Sequence, residues 1–365
     1  MTDPQRRSTI RAGVAVAVAI VSVIAAVFVV SMHDVPVELP ADSQAMTPTF
    51  SPETVTTQVP SGPVLDPSWQ LDAEAVYGRE FAAFRSPAAD LMFDSGATGA
   101  IDAGDVLVTA VGLPNPRSYS VDAIEFVAVD SGDGSVRWKK SPGSVDQCAS
   151  ETVGNEIVCL DSYSDIPSIV RIGLDDGEAR RTTIPEAWFP YAIDSDGESV
   201  FLLEGNPEDG ESVLHGGSVD ALDRMWSRPI TSSAGWEGVA GPLIHVDDGR
   251  GVVTLGGEAT FFDPRTGTPV DGLELTDDAT VVDRSGTEVW ALQDPYSSET
   301  FVGNTVYSFE ENSLVATTDS NDVRWRWTLP EGADGFTESG SIVEAQSGVF
   351  FLGTESMVRL ESVPT

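Results

Sequence analysis

The chain has 365 residues, with 20 Lys and Arg against 58 Asp and Glu, and a formal net charge of -38 at pH 7. So acidic a chain repels nucleic acid and anionic lipid, which excludes nucleic-acid binding and adsorption to an anionic membrane surface. Two cysteines and three scattered histidines show no metal-ligand spacing.

In chain order, residues 1–11 carry Arg6, Arg7 and Arg11, and from Ala12 to Val30 no charge appears and Ser22 is the one polar residue. An apolar run of this length matches the roughly 20 residues that a helix needs to cross a bilayer core. The spacing predicts a transmembrane helix over 12–31. Arginines before it, with Asp34, Glu38 and Asp42 after it, place residues 1–11 in the cytoplasm and the rest outside. The alternative is a cleaved signal peptide, whose apolar core usually runs about 7–15 residues before a small-x-small site. The stretch VVSMHDV at 29–35 offers a poor site of that kind. Residues 32–63 contain Pro36, Pro40, Pro48, Pro52, Pro60 and Pro63 without amphipathic periodicity, which predicts an extended stem.

Residues 64–365 are expected to form the exported domain. Taking Asp3 and the three cytoplasmic arginines from the totals leaves 57 acidic and 17 basic residues outside, a net charge of -40. Short β-branched and aromatic runs alternate with Gly, Asp, Asn and Ser clusters, the pattern of an all-β chain. One unit recurs: an apolar pair, an Asp-containing turn, then a strand that often bears Trp. Its copies are VDSGDGSVRW (129–138), IGLDDGEARR (172–181), VDALDRMWSR (219–228), FFDPRTGTPV (261–270) and TTDSNDVRWRW (317–327). Their leading aspartates, Asp130, Asp175, Asp220, Asp263 and Asp319, stand 45, 45, 43 and 56 residues apart. A Gly turn followed by an apolar strand precedes each, from GDVLVTAV (104–111) to GTEVWALQ (286–293), and SGVFFLGT (347–354) adds a sixth.

A period near 45 residues, with several short strands per unit, is the signature of β-propeller blades. Asp caps its own turn, Gly takes the positive φ that closes a hairpin, and Trp138, Trp226, Trp325 and Trp327 fill space between blades. Six four-stranded blades are expected. GNTVYSFE (303–310) looks like a further copy only 17 residues after the last, and it keeps seven open. The strand VLDPSWQL (64–71) is expected to pair with MVRLES (357–362) and close the ring.

These turns, FDPRTGTPV with Gly267 and VDSGDGSVRW above all, resemble the pyrroloquinoline-quinone-like (quinoprotein-like) propeller repeat over roughly 100–362. The quinone-dependent enzymes of that family use an adjacent cysteine pair and a central calcium site, whereas the two cysteines here are eleven residues apart. The resemblance therefore implies the non-enzymatic branch, scaffold propellers that offer loop surfaces to partners, with no cofactor.

Cys148 and Cys159 flank a Gly154-Asn155 turn in an oxidising compartment, so a disulfide is expected, with two buried thiols as the alternative. Among the acidic clusters, Asp194, Asp196 and Glu198 come nearest to a calcium loop without completing one, and hairpin turns explain such clusters equally. His215 and His245 have no context that suggests a nucleophilic triad. The expectation is a non-catalytic cell-envelope propeller that binds a protein or glycan partner. The competing reading is an envelope enzyme, carbohydrate-active or quinone-dependent.

Overall fold

The computed structural model of the protein describes residues 63–361, apart from 92–93, 119, 186–187, 189, 207–210, 232–242, 248, 256–257, 277–279, 292–298, 303–304, 311–312, 319–321 and 329–339. The predicted tail, the membrane segment 12–31 and the stem up to residue 62 lie outside the described residues, as does Asp319. Among the described residues no helix is long and apolar enough to cross a membrane.

The described strands fall into seven antiparallel sheets. Sheet 1 spans Ala83–Arg85 to Val136–Lys140, sheet 2 Gln147–Cys148 to Ala179–Thr183, and sheet 3 Pro190–Ser195 to Trp226–Thr231. Sheet 4 runs from Leu243–Asp247 to Glu258–Phe262, sheet 5 from Leu273–Leu275 to Glu288–Ala291, and sheet 6 from Glu299–Val302 to Val323–Thr328. Sheet 7 joins Ser341–Ala345, Gly348–Leu352 and Ser356–Glu361 to a strand from the other end of the chain, Trp69–Asp72. Its register, Trp69 opposite Arg359 and Leu71 opposite Met357, is the expected closure.

Neighbouring sheets share apolar layers. Phe84, Leu107 and Val127 pack with Phe350, Leu352 and Met357 between sheets 1 and 7. Phe126 and Trp138 meet Ile157 and Ile172 between sheets 1 and 2. Further layers join sheets 2 and 3, 3 and 4, 4 and 5, and 6 and 7. Sheets 1, 2, 3, 4 and 7 are apolar on both faces because a layer covers each face, which is why their middle strands read as continuous apolar runs. With a terminal strand closing the last sheet, this is a β-propeller, and residues 59–365 form one compact unit.

The sheet count corrects the expectation of six. GNTVYSFE supplies Thr305–Glu310, the second strand of sheet 6. The short spacing arises at sheet 5, where three strands of three or four residues are described. Segment 112–122 continues a long hairpin, with Leu113 opposite Asp122 and Asn115 opposite Ser120.

The repeat turns show what the Asp-Gly-Trp pattern does. Gly134, Gly177 and Gly267 have φ of 75°, 70° and 66°, where a Cβ is unfavourable. Each lies under a tryptophan from the outer strand of the preceding sheet, Trp69, Trp138 and Trp226 respectively. A Cβ on Gly134 would sit 2.7 Å from the Trp69 ring, and one on Gly177 2.6 Å from Trp138. The indole N–H groups complete the contact, Trp69 Nε1 donating to the Ser131 carbonyl (3.3 Å) and Trp138 Nε1 to that of Leu174 (2.6 Å). Gly177 N–H bonds to the Gly173 carbonyl just as Gly134 bonds to Asp130 and Gly267 to Asp263. The counterpart of Asp130 is thus Gly173 rather than Asp175, whose carboxylate instead accepts from Asn155 Nδ2 (2.9 Å). Asp220, in turn, pairs with Arg171. Trp325 and Trp327 lie in the layer between sheets 6 and 7.

Cys148 and Cys159 face each other across the first two strands of sheet 2 and form a disulfide. The short helix Ala73–Tyr77 leads from the closing strand into sheet 1, capped by Asp72 Oδ1 accepting from Ala75 N–H (2.9 Å) and ended by Gly78 at φ 86°.

Candidate functional site

Because strands alternate in direction, turns joining first to second and third to fourth strands lie at one end of the ring. Connections from second to third strands, and from sheet to sheet, lie at the other, here called the link end. The repeat turns, and with them Asp130, Asp175, Asp220 and Asp263, ring the first end.

At the link end a line of polar groups crosses the seam between sheets 2 and 3. Asp146, just before the strand Gln147–Cys148, is held by its backbone: its N–H bonds to the Leu160 carbonyl and its own carbonyl accepts from Leu91. Its side chain is buried, Oδ2 accepts from Ser162 N–H, and Oδ1 is buried without a hydrogen-bond partner. Burial, then the nearby Asp161 and Asp90 carboxylates, push the Asp146 carboxyl up to about 6 despite the Ser162 and Tyr163 N–H groups that bond to it. Ser162 Oγ donates to the Pro190 carbonyl at 2.7 Å, and Pro190 stands opposite Glu204 on the next strand.

Glu204 Oε1 lies 3.0 Å from His215 Nε2, and Glu204 Oε2 is buried without a hydrogen-bond partner. The other ring nitrogen, His215 Nδ1, is 2.8 Å from Ser227 Oγ, and Trp188 stacks on the imidazole at 3.8 Å. Tyr163 and Tyr191 complete the seam. Burial, then Glu204 and Tyr163, push the Tyr191 hydroxyl up to about 12, while burial, Asp90 and Asp146 raise that of Tyr163. Arg181 bonds to the neighbouring Asp161, to Ser168 Oγ and to the carbonyls of Pro142 and Ser144.

The weak metal candidates lie at the opposite end and serve the fold. Asp194 Oδ1 accepts from Ser150 N–H (2.9 Å) and Oγ (2.6 Å) in sheet 2, and Oδ2 from Val246 N–H (2.8 Å) in sheet 4. One buried carboxylate thereby ties three sheets together. Burial raises its pKa, the bonds and His245 opposing. Asp196 Oδ1 closes its own turn on the N–H groups of Glu198 and Ser199. Among the described residues no group of three or more His, Cys, Asp or Glu is placed to hold a metal ion.

The sequence reading did not single out Asp146, Glu204, Trp188 or the two tyrosines. The chain matches no protein-family model and no curated protein by sequence. Among solved structures it is similar to BamB from Moraxella catarrhalis, at 15% identity and TM-score 0.36 over 72% of this chain and 84% of that one. It is also similar to a structure from a nidogen/laminin complex, at 12% identity and TM-score 0.34 over 69% and 94%. An oligogalacturonate lyase from Vibrio parahaemolyticus gives 9% identity and TM-score 0.43 over 77% and 92%. None of these likenesses carries an activity over to this chain.

Proposed function

We propose that the protein is a non-catalytic cell-envelope propeller, anchored through residues 12–31 with residues 64–365 outside, that binds a protein partner at its link end. The observation that carries this reading is where the large exposed apolar side chains sit. Phe81, Tyr163, Ile166 and Leu243 are 82%, 61%, 65% and 51% exposed and belong to link-end segments, whereas Val64, 81% exposed, lies beside the outer strand of sheet 6. At the turn end Val136 and Val270 reach only 41% among Asp-rich turns. Monomeric proteins rarely gather exposed apolar groups without an interaction to cover them.

Phe81 adds weight. Its φ is 64°, a region bulky residues avoid, and its N–H donates to Glu74 Oε1 at 2.7 Å. Such backbone costs on the order of 1–3 kcal/mol and persists where surrounding structure holds it for a purpose. The envelope part of the reading rests on the arginines before an uncharged run, and the scaffold part on the likeness of the repeat to non-enzymatic quinoprotein-like propellers.

Protease added to intact spheroplasts should remove residues 64–365, and a protected domain would defeat the envelope reading. Crosslinked in membranes, the full-length chain should lose about tenfold of its captured partner in Phe81→Ala and Ile166→Ser, whereas Val136→Ser and Val270→Ser should capture as the parent does. Equal capture by all four variants counts against the link end. A second reading has its own support: the Asp146 carboxyl, buried and raised to about 6, has the character of a general acid for cleavage of a saccharide. Turnover of a polysaccharide that Asp146→Asn reduces by about 10²-fold or more, the scale of a lost general acid, would favour the enzyme.

A further inference from the structure

We propose that Ser227, on the outer strand of sheet 3, is a nucleophile that takes an acyl group from a neutral activated ester, with His215 as its general base. The step is a single covalent modification of the chain rather than turnover. It goes beyond the partner-binding reading and leaves that reading standing.

The backbone register brings three groups into line. In the pairing of Val200–Asn206, Glu211–Gly217 and Trp226–Thr231, His215 stands opposite Leu202 on one side and Ser227 on the other. Directly opposed residues of neighbouring strands share a face, and so do residues two apart on one strand. Leu202, Glu204, His215 and Ser227 therefore project from one side of sheet 3, with Glu204 diagonal to His215. Glu204 Oε1 is 3.0 Å from His215 Nε2, and His215 Nδ1 is 2.8 Å from Ser227 Oγ.

That line has a polarity. An ionised carboxylate only accepts, so a neutral His215 ring carries its proton on Nε2, towards Glu204. Nε2 has no hydrogen-bond partner among the described residues, so the carboxylate at 3.0 Å is the acceptor at hand, and such contacts often tighten only once a reactant is bound. Nδ1 then keeps its lone pair, and Ser227 Oγ donates to it. A serine hydroxyl on a ring nitrogen is in contact with the base that a weak nucleophile needs. The ring nitrogens are exchanged relative to the familiar Ser–His–acid order, but the chemistry requires only one acceptor nitrogen and one N–H. His215 is 3% exposed, and Trp188 stacks on it with planes 18° apart, so the ring is held in place. Ser227 is exposed, on the strand that ends sheet 3, where a reactant can reach it from solvent.

In the step, Ser227 Oγ attacks the ester carbonyl carbon while its proton passes to His215 Nδ1. The imidazolium so formed is faced by the Glu204 carboxylate, which offsets its charge. Collapse of the tetrahedral adduct breaks the bond to the leaving oxygen, and the proton returns from Nδ1 to that oxygen. Ester and serine become acyl-serine and alcohol, with nothing oxidised or reduced. The donor is a neutral ester because a chain of net charge -38 repels an anionic phosphoryl donor. Ser285 supplies an internal contrast. It too is exposed, but its Oγ donates to Asp283 Oδ1 at 2.6 Å, and a carboxylate is a weaker base than imidazole.

The test incubates the full-length chain in detergent micelles with p-nitrophenyl acetate and reads acetylation serine by serine from peptide masses. Ser227 should be acetylated about 10²-fold faster than Ser285, the scale of a positioned general base. His215→Ala should bring Ser227 down to the Ser285 rate. Added imidazole should then restore Ser227 and not Ser285, which a histidine of merely structural role would not allow. Glu204→Gln alters a positioning residue and should slow Ser227 by about tenfold or more, because the charge facing the imidazolium is lost. It should also change the ring nitrogen shifts of His215 in a chain whose three histidines carry nitrogen-15. In the parent chain those shifts should show Nε2 protonated and Nδ1 bare, a measurement that needs no variant and so remains decisive where a buried change disturbs folding. Equal acetylation of Ser227 and Ser285 would overturn the proposal. So would a Ser227 rate that His215→Ala leaves unchanged, or a neutral His215 with its proton on Nδ1. Partner capture is scored at Phe81 and Ile166, so either reading can fail while the other stands.

Discussion

Gly177→Ala is expected to lower the unfolding free energy of the domain by about 2–5 kcal/mol. Two costs add. A non-glycine residue at φ 70° gives up on the order of 1–2 kcal/mol. The new Cβ, 2.6 Å from Trp138 Cε3, forces a displacement costing typically about 1–3 kcal/mol in a packed interior. The ring has little freedom to yield, because Trp138 Nε1 is hydrogen-bonded to the Leu174 carbonyl and the indole packs between sheets 1 and 2. Gly154→Ala separates the two costs. Its φ of 61° is comparable, but a Cβ there meets nothing within 4 Å, so only the backbone part should appear. In a Trp138→Ala background, the penalty of Gly177→Ala should fall to that of Gly154→Ala. Urea unfolding of the four variants measures this coupling. A Gly177→Ala cost that stays the same without the tryptophan would mean the ring is not what the glycine accommodates.

The same device shows which parts of the protein were legible in its sequence. Turn chemistry is local, so Asp130, Asp263 and Gly267 announced their hairpins, and the alternation in SWQL marked a strand in need of a partner. Periodicity failed where turns degrade: in GLDDG the leading aspartates invite an alignment two residues late, because the structural counterpart of Asp130 is Gly173. The sheet count failed at sheet 5, whose short strands compress the repeat. Asp146 and Glu204 were invisible for a different reason. In a chain with 58 acids no local context distinguishes them. They matter through burial and through a hydrogen-bonded path, Asp146 to Ser162 to Pro190, that exists only once sheets 2 and 3 stand side by side. Trp188 likewise gains meaning only from the His215 ring beneath it.

Deleting residues 64–71 while keeping the rest of the chain should drive the protein into larger oligomers or aggregates than the parent chain forms. Those residues do three things at once. Trp69–Asp72 supplies the fourth strand of sheet 7, pairing with Ser356–Arg359. Trp69 also covers the glycine turn of sheet 1, its ring over Gly134 and its N–H on the Ser131 carbonyl, and it packs against Phe350 at 5.7 Å. Upstream, the Leu65 N–H donates to the Arg326 carbonyl (2.8 Å), tying the same segment to the outer strand of sheet 6. Without it the strand Ser356–Glu361 becomes an open edge, and an unpaired edge is a template for another chain. Part of the layer formed by Phe84, Phe350 and Met357 is uncovered as well. The damage exceeds the loss of one strand, because the segment is the seam at which a ring made from a linear chain is shut. Trp69→Ala alone should cost about 3–5 kcal/mol, the range for emptying a large aromatic site, without opening the edge, and should keep the size of the parent chain. Gel filtration separates the two variants, and a synthetic peptide of residues 64–72 added during refolding should return part of the deleted chain to the parent's size. A deletion that keeps the parent's size with unchanged melting would mean that the ring is held by its inter-sheet layers alone, and that the closing strand merely lies on it.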